Sequence, residues 1–412
     1  MKKSTTPMLH GARSRVGPLL GATAIIALVA LSSPALAQKS QGTDIPTNLT
    51  DQATVQPEEE TGVLVAKAPD ARRVYVADQD NFNVINRIYA IDGGEGKLIG
   101  MLDAGKLAGV NLAPDGSSIY VSSTLYSRVS RGERNDLIEV WDPRTLATTA
   151  EIDIPEERFL VQPMDSMTQV TPDGRHLLYY RFSPAPGVGI VDLQQNKHVA
   201  TVDIPDCYYV LPTGKNRFYM HCRQGSLLQV TFTDDGKAET KEGKPFHPED
   251  KHLFDQPAFS PQNGKAFFIS YEGTVYPVDL SGDEPSFGKS WEMFSQEERG
   301  QKWRPGGWQV SAYHRPSNQL FVLVRQGGDS THHNPSKEVW VYNAADGKRV
   351  KRITLNGPAN SISVSQDQEP LLFALDAHHA SLGIYDVASG KHRNTIDQLG
   401  HAPHMLITAY GQ

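Results

Sequence analysis

Short apolar segments that follow polar turns recur along the chain from residue 69 onwards. In one example the turn-forming residues Pro114-Asp115-Gly116 lead into Ile119-Tyr120-Val121. A turn signal before a short run of β-branched and aromatic residues is typical of a β-strand. Seven segments share this pattern, at residues 69–76, 114–121, 172–180, 212–220, 261–269, 316–324 and 367–375.

A second apolar segment follows each of these and ends at an aspartate or an asparagine. The copies lie at residues 88–92, 139–142, 189–192, 228–234, 275–279, 339–343 and 383–386. Their last residues are 42 to 64 positions apart along the chain. Units of about 40–50 residues with several short strands are typical of β-propeller blades, which cover one another's apolar faces. Because helical patterns are sparse, we predict an all-β fold, a seven-bladed β-propeller of four-stranded antiparallel blades.

The longest interval between two units contains an insertion. Ser295-Gln296-Glu297-Glu298 matches a helix capping box, so a short helix is predicted to start there. The turn at Gly306-Gly307 is then predicted to lead back into a strand at Trp308.

The N-terminal region has the pattern of an export signal. Four Lys and Arg residues precede an uncharged, partly apolar stretch that ends with small residues at Ala35 and Ala37. Its strongly apolar part is shorter than the roughly 20 residues that a membrane-spanning helix needs. We therefore predict a signal peptide at 1–37, cleaved after Ala37, an extended polar arm at 38–60 and the propeller at 61–412. The mature protein is expected outside the cytoplasm.

Composition and charge exclude several classes of protein. Hydrophobic residues make up 39% of the 412 positions, enough for a sizeable core. The formal net charge is −7, and removal of the four positive charges of the signal region would change it to −11. Without a basic block in the body of the chain, nucleic-acid binding is not expected. No second apolar run of spanning length follows the signal, so no membrane association is expected either.

The two cysteines flank a predicted turn. Cys207 and Cys222 are equidistant from Gly214-Lys215, so a hairpin that turns there would place them directly opposite each other. Opposed Cα atoms in such a pair are about 4.5–5.5 Å apart, within disulfide range. In an oxidising compartment we favour a disulfide, which would stabilise the fold by on the order of 3 kcal/mol. Two separate free thiols, or a catalytic cysteine, are the alternatives.

Motifs of catalysis and metal binding are missing. Gly93-Gly94-Glu95-Gly96 is glycine-rich, but the helix of a dinucleotide-binding unit does not follow it. His332-His333 and His378-His379 lie in predicted polar loops and do not have the spacing of a metal site. The chain contains no Gly-x-Ser-x-Gly elbow and no His-Glu-x-x-His motif. We therefore expect no catalytic residue and no metal ligand in this chain.

Two loop features leave alternatives open. A charged stretch between two predicted strands contains Arg128, Arg131 and Arg134, and it is either a solvated loop or a loop that forms salt bridges with a partner subunit. Phe82 lies in a polar connection, where its side chain packs locally or lines a pocket or a protein contact. The residues alone support an exported seven-bladed scaffold without an active site of its own.

Several unusual segments are long enough to compare with known families. They are STLYSRVSRGERNDLIEVWDP (123–143), YRFSPAPGVGIVDL (180–193), DIPDCYYVLPT (203–213), FYMHCR (218–223), HPED (247–250), RPGGWQ and AYHR within 304–315, and QLGH (398–401). Together they resemble the heavy chain of methylamine dehydrogenase from about residue 60 to the C-terminus. The large subunit of aromatic amine dehydrogenase shares the arginine-rich segment, but the proline-rich and cysteine segments are closer to the methylamine type.

This resemblance implies a periplasmic quinoprotein of two heavy and two light subunits. Such enzymes oxidise a small primary amine, methylamine, to an aldehyde and ammonia, and pass electrons to the blue-copper protein amicyanin. Their cofactor, tryptophan tryptophylquinone, is formed from two tryptophans of the light chain. The resemblance therefore implies no cofactor in this chain, whose five tryptophans are interpreted as structural.

Two site assignments follow from the same resemblance. Cys207 and Cys222 correspond to the disulfide of the family's heavy chains. Phe82 corresponds to the phenylalanine at the mouth of the substrate channel, although Asn81 and Asn83 differ from the commoner neighbours of that residue.

Two other functions remain open at this point. The chain could be the large subunit of an aromatic amine dehydrogenase, which would differ in the lining of the pocket. It could also be a stand-alone periplasmic propeller that acts as a binding module. A neighbouring gene for a small, cysteine-rich, exported chain with two suitably placed tryptophans would favour the heavy chain.

Overall fold

The computed structural model describes residues 65–79, 85–155, 157–160 and 164–409. Within these ranges it contains thirty β-strands, one short α-helix and a 3₁₀ helix at Asp165–Met167. None of the helices in this part of the chain is long and apolar enough to cross a membrane. The predicted signal peptide at 1–37 and the predicted arm at 38–60 lie outside the described residues.

The first four sheets are antiparallel and four-stranded. The first contains β1 (Arg73–Asp78), β2 (Asn86–Asp92) and β3 (Lys97–Ala104), and the second contains β4 (Gly109–Leu112), β5 (Ile119–Arg128), β6 (Arg131–Trp141) and β7 (Thr148–Ile154). The third contains β8 (Thr168–Val170), β9 (His176–Arg181), β10 (Gly187–Asp192) and β11 (Lys197–Asp203). The fourth contains β12 (Cys207–Thr213), β13 (Arg217–Cys222), β14 (Leu227–Phe232) and β15 (Ala238–Glu242).

The remaining sheets continue the series, and two of them carry a fifth strand. The fifth contains β16 (Ala258–Ser260), β17 (Lys265–Ile269), β18 (Thr274–Asp279), β19 (Ser286–Phe287) and β20 (Trp291–Glu292). The sixth contains β21 (Trp303–Pro305), β22 (Ser311–His314), β23 (Gln319–Gln326), β24 (Ser336–Asn343) and β25 (Arg349–Ala359). The seventh contains β26 (Ser361–Val364), β27 (Leu371–Asp376), β28 (Ser381–Asp386) and β29 (His392–Ile396). The last strand, β30 (Pro403–Thr408), pairs with β1 and completes the first sheet.

The predicted seven-bladed β-propeller is confirmed by this topology. In every blade the two apolar segments found in the sequence form the paired central strands, such as β5 and β6 in the second blade. Strand β1 shows why both faces of these strands are apolar. Its Tyr75 and Ala77 pack in one cluster with Ile119 of the second blade, whereas Val74 and Val76 pack in another with the seventh blade. Alternate residues point to opposite faces, so each blade is covered on both sides.

The insertion in the longest interval folds partly as predicted. The α-helix α1 (Gln296–Gly300) starts after Ser295, whose side chain accepts from the Glu298 backbone N–H while the Glu298 side chain accepts from the Ser295 N–H. The capping box is therefore confirmed. The prediction that a strand begins at Trp308 is wrong. The chain forms a bend at Trp308, and β22 begins only at Ser311. The Trp308 N–H donates instead to the Asn360 carbonyl of the neighbouring blade.

A disulfide joins Cys207 and Cys222, which are paired directly across β12 and β13. The turn is longer than predicted, since Thr213 pairs with Arg217 and three residues lie between them. A bulge near Tyr209, whose φ is 62°, restores the register before the cysteines. The predicted turn was therefore one residue too short, and the bulge compensates for the difference.

The two ends of the propeller carry different loops. We count the strands of each blade from the central channel outwards, so that β30 is the first strand of the first blade. At one end of the propeller, which we call the top face, the second strand of each blade joins the third, and the fourth strand leads to the next blade. Strand β1 ends and β2 begins at the top face, where the arginine-rich β5–β6 hairpin and the chain before Cys207 also lie. Most of the segments that resemble the amine dehydrogenase family lie at this end.

Candidate functional site on the top face

The β5–β6 hairpin extends beyond the rest of the second blade. Its pairing runs from Ile119 opposite Trp141 to Arg128 opposite Arg131, whereas the inner strand β4 ends its pairing opposite Ser122. At about 3.3 Å per residue, the six further residues reach about 20 Å past the inner strand. Arg128 and Arg131 are exposed at the tip of the hairpin. Their predicted contact with a partner subunit stays a prediction.

Arg134, the third arginine of the predicted contact, forms ion pairs with carboxylates of its own chain. Its guanidinium lies 2.8 Å from an Asp136 carboxylate oxygen and 3.3 Å from one of Glu157. It also donates to the Arg158 carbonyl oxygen at 2.7 Å. The charge of Arg134 therefore joins the base of the hairpin to the connection between the second and third blades.

Arg158 is the centre of this network and is only 5% exposed. Its guanidinium donates to Thr124 Oγ1 at 2.9 Å and to the backbone carbonyls of Leu107 and Lys106. Its backbone N–H donates to Asp136, whose carboxylate also lies 3.9 Å from the guanidinium. Burial lowers the pKa of Arg158 to about 10, while the charge of Asp136 opposes that shift. The side chain stays charged at neutral pH and anchors the hairpin.

Phe82 lies outside the described residues, but the chain on both sides of it is anchored. The Gln79 amide donates to the Ala108 carbonyl, and the Asn86 Oδ1 accepts from the Leu107 N–H at 2.6 Å. Both Gln79 and Asn86 are buried. The ends of the connection that contains Phe82 are thus fixed against the segment between the first two blades.

A cavity of about 120 Å³ lies between the inner strands of the blades, in the central channel of the propeller. Asp165 lines it near the top face and also borders a smaller cavity that reaches Gln79. Asp165 is exposed to the channel, and the inner strands of the blades lie around it. Desolvation by the protein around the channel raises the pKa of Asp165 to about 6, against the opposing effect of its hydrogen bond from Gln169. The channel mouth and the anchored end of the Phe82 connection therefore adjoin.

Large apolar side chains are exposed on the top face over four consecutive blades. We call this set the apolar patch: Ile85, Leu125, Val129, Phe182 and Tyr208. Val129, at the hairpin tip, is 72% exposed. The other exposed large apolar side chains of the described residues lie on outer strands or near residue 65. Exposed apolar groups gathered at one face are typical of a protein contact. The sequence alone did not reveal this set, because its members are distant along the chain.

Two histidines stiffen the top of the fourth blade. His221 and His247 approach with their Nε2 atoms 2.8 Å apart, and His247 Nδ1 lies 2.9 Å from the Pro248 carbonyl oxygen. A carbonyl can only accept, so Nδ1 of His247 carries the proton and its Nε2 accepts from His221. Burial, with a smaller effect of His247, lowers the pKa of His221 to about 4. Burial also lowers the pKa of His247, and the pair lies next to the disulfide.

No metal site is apparent in the described part of the chain. No three His, Cys, Asp or Glu side chains are grouped there as metal ligands. His332 instead stacks on Tyr271 with ring centroids 3.9 Å apart, and His379 Nδ1 lies 2.6 Å from the Asp376 carboxylate. These contacts account for one histidine of each pair singled out in the sequence.

Trp303 and Trp340 lie close together in the sixth blade, with ring centroids 5.1 Å apart. Trp340 is fully buried, and the guanidinium groups of Arg349 and Arg352 lie 4.1 and 4.6 Å from its ring centroid. Cations over an indole face stabilise such packing. Trp340 also donates to Glu338 at 2.7 Å. The two rings therefore have a structural role in this blade, and they border none of the cavities described above.

Comparison with known proteins decides the family. Residues 70–410 match the family model described as methylamine dehydrogenase heavy chain. The chain belongs to the methylamine dehydrogenase heavy chain family. It is 42% identical to the methylamine dehydrogenase heavy chain of Methylophilus methylotrophus over 391 residues, which cover 95% of each chain. It is also 42% identical to that of Paracoccus versutus over 351 residues, which cover 85% of this chain and 82% of the relative.

Solved structures of low sequence identity share the fold of this heavy chain family member. A putative 6-phosphogluconolactonase from Bacteroides fragilis superposes with a TM-score of 0.56 at 10% identity, and the match covers 83% of this chain and 99% of that one. The dihydro-heme d1 dehydrogenase NirN gives a TM-score of 0.51 at 14% identity, with 84% and 76% covered. At these identities the likeness shows the propeller fold alone.

Family membership identifies the chain as a subunit of an amine dehydrogenase, an oxidoreductase. A heavy chain implies a light chain as its partner. The top face is where this chain exposes the apolar patch and the tip of the arginine hairpin, both of which are suited to a protein contact.

Proposed function

We propose that this chain is the heavy subunit of a periplasmic methylamine dehydrogenase that oxidises primary amines to aldehyde and ammonia and passes electrons to amicyanin. The observation that supports this most strongly is the apolar patch on the top face of a member of the heavy chain family. Export is supported by the N-terminal signal pattern, and the disulfide is consistent with an oxidising compartment. The mature chain is then expected to begin at Gln38.

The light chain is proposed to bind the top face, in an assembly of two heavy and two light subunits. Val129 and Phe182 would supply the apolar part of the contact, and Arg128 and Arg131 would pair with acidic groups around it. The hairpin can hold a partner in place because Arg158 and Asp136 fix its base.

The cofactor of the proposed enzyme is tryptophan tryptophylquinone on the light chain, which accepts the electrons of the amine. This chain would position the light chain and exclude water from the contact. Phe82 would line the route of the amine, because the connection that carries it is anchored beside the channel mouth at Gln79. A wall of this kind selects substrates by size.

Purification from the native host tests the proposed assembly. A small subunit with quinone absorbance is expected to co-purify with this chain, whereas the chain expressed alone should be colourless and inactive toward amines. In the same experiment Val129→Asp should reduce the yield of light chain about tenfold or more, because a carboxylate would be buried without a partner.

Val350→Asp is the matched control for that variant. Val350 is 51% exposed and lies on the outer strand β25, away from the top face. The control should retain the light chain at the yield of the unchanged protein. Equal retention by both variants would place the contact elsewhere, and a chain that purifies without any small subunit would favour the stand-alone propeller.

Phe82→Ala is expected to change the relative rates for methylamine and bulkier primary amines while the assembly stays intact. Removal of a ring from the wall of a substrate route relaxes size selection, typically by about 10-fold or more. The measurement is the ratio of kcat/KM values for methylamine and a bulky amine in the assembled enzyme. Phe287→Ala, a half-exposed phenylalanine on the outer strand β19, serves as control. An unaltered ratio in assembled Phe82→Ala enzyme would remove Phe82 from the substrate route.

A further inference from the structure

The central channel contains one unbalanced charge. Among the described residues, Asp165 is the only carboxylate that lines the 120 Å³ cavity, and no lysine, arginine or histidine of this part of the chain lines it. The other polar lining groups are amides and hydroxyls, such as those of Asn111, Gln256, Ser311 and Thr408. The carboxylate of Asp165 therefore lines the cavity without a counter-charge from the residues that the structure describes.

Neighbouring amides fix Asp165 in position. Its backbone N–H donates to Gln256 Oε1 at 3.0 Å, which connects the third blade to the fifth. The Gln169 side chain donates to the Asp165 backbone carbonyl at 3.0 Å and to its carboxylate Oδ1 at 3.1 Å. Within the described residues, no hydrogen bond reaches the second carboxylate oxygen. One oxygen of a fixed carboxylate is thus available to a ligand in the channel.

Buried polar side chains of the same cavity also have unused hydrogen-bonding capacity. Asn111 is 3% exposed, and neither its Oδ1 nor its Nδ2 has a protein partner. Ser166, next to Asp165, is 5% exposed, and its Oγ is likewise unpartnered, as is the Oγ of Ser311. Buried polar side chains normally find partners within the protein, in ordered water or in a bound molecule. These residues and Asp165 belong to the lining of one cavity, which makes that cavity a candidate binding site.

We propose that the central channel binds one small monovalent cation at Asp165, with the oxygens of Asn111 and Ser166 as neutral ligands. A single carboxylate with neutral oxygens balances one positive charge, whereas divalent cations are usually held by several carboxylates. The cavity has room for a small ion with water, or for an ammonium group with one carbon. The shared chemistry is that of an alkali ion and of a small protonated amine. This proposal does not depend on the assembly with a light chain.

Titration calorimetry of the full chain tests the site. Potassium chloride and methylammonium chloride are titrated separately, with tetramethylammonium chloride holding the ionic strength constant. Saturable binding of one cation per chain is expected in at least one of the two titrations. Comparison of the two affinities shows whether the site prefers an alkali ion or a small protonated amine. Asp165→Asn should weaken it on the order of tenfold to a hundredfold, as expected for the loss of a charge-assisted contact. Asp153→Asn, an exposed carboxylate on β7, should leave the affinity unchanged.

Two further measurements keep the test decisive if Asp165→Asn does not fold. Asn111→Leu retains the charge and should weaken binding by a smaller factor. In the unchanged protein, binding should weaken as the pH falls below about 6, because the protonated carboxyl no longer attracts a cation. Tyr313, the other titratable group in the lining, is neutral throughout this range. No saturable binding in either arm, or equal binding by Asp165→Asn, would overturn the proposal.

Discussion

A chain that ends at Ala402 is expected to lose cooperative folding. The deletion of residues 403–412 removes β30, the inner strand of the first blade, and leaves an unpaired edge on β1. Met405 and Leu406 of β30 are buried in separate clusters on the two sides of that blade. The Gln309 side chain also donates to and accepts from the Leu406 backbone, at 3.0 Å in both cases. The ring of blades then opens.

The expected effect is comparable with the whole stability of a typical domain. Loss of two buried apolar side chains costs about 2–5 kcal/mol each, and domains are stable by about 5–15 kcal/mol before further strand pairing is lost. The measurement is urea unfolding followed by circular dichroism, in which the truncated chain should show no sharp transition. A chain that ends at Ala409 retains β30 and should unfold like the full chain. A sharp transition with an unchanged midpoint in the shorter chain would show that β30 does not hold the ring closed.

The pairing of β30 with β1, which closes the ring, could not be predicted from the sequence, whereas the seven blades could. The central strands of each blade are buried on both faces, so they form the apolar runs that made the repeat visible. Outer strands such as β15 (Ala238–Glu242) are largely exposed and polar, and inner strands such as β8 (Thr168–Val170) have only three residues. Such segments do not form the fully apolar runs of the central strands. The pairing of β30 with β1 joins segments more than 300 residues apart, and no local signal specifies it.

The candidate site was only partly visible for a similar reason. The disulfide could be predicted because Cys207 and Cys222 are close in sequence on either side of one turn, although the bulge at Tyr209 was not foreseen. Asp165 was not singled out, since nothing near it in the sequence indicates that the inner strands converge around it. The arginine-rich segment was noticed, but the separation of exposed Arg128 and Arg131 from the internally paired Arg134 depends on three-dimensional contacts.

Asp136→Ala is expected to destabilise the chain by about 3–5 kcal/mol, the usual cost of removing one partner from a buried ion pair. The side chain of Asp136 lies between the guanidinium groups of Arg134 and Arg158, and Thr124 Oγ1 also donates to it. Without the carboxylate, Arg158 keeps its charge in a site where it is almost fully buried. The measurement is the free energy of unfolding in urea. Asp153→Ala removes an exposed carboxylate of the same blade and should change that free energy by less than about 0.5 kcal/mol.

Addition of Arg158→Met to Asp136→Ala should recover part of the lost stability. The double variant no longer buries an unpaired charge, and an apolar chain of similar length fills the space of the guanidinium stem. The double variant is therefore expected to be more stable than Asp136→Ala alone, although Arg158→Met alone is destabilising. If the two single effects simply add, Asp136 does not neutralise Arg158. If they compensate, the charge pair holds the base of the hairpin, and weaker retention of the light chain by Asp136→Ala would connect this buried pair to assembly at the top face.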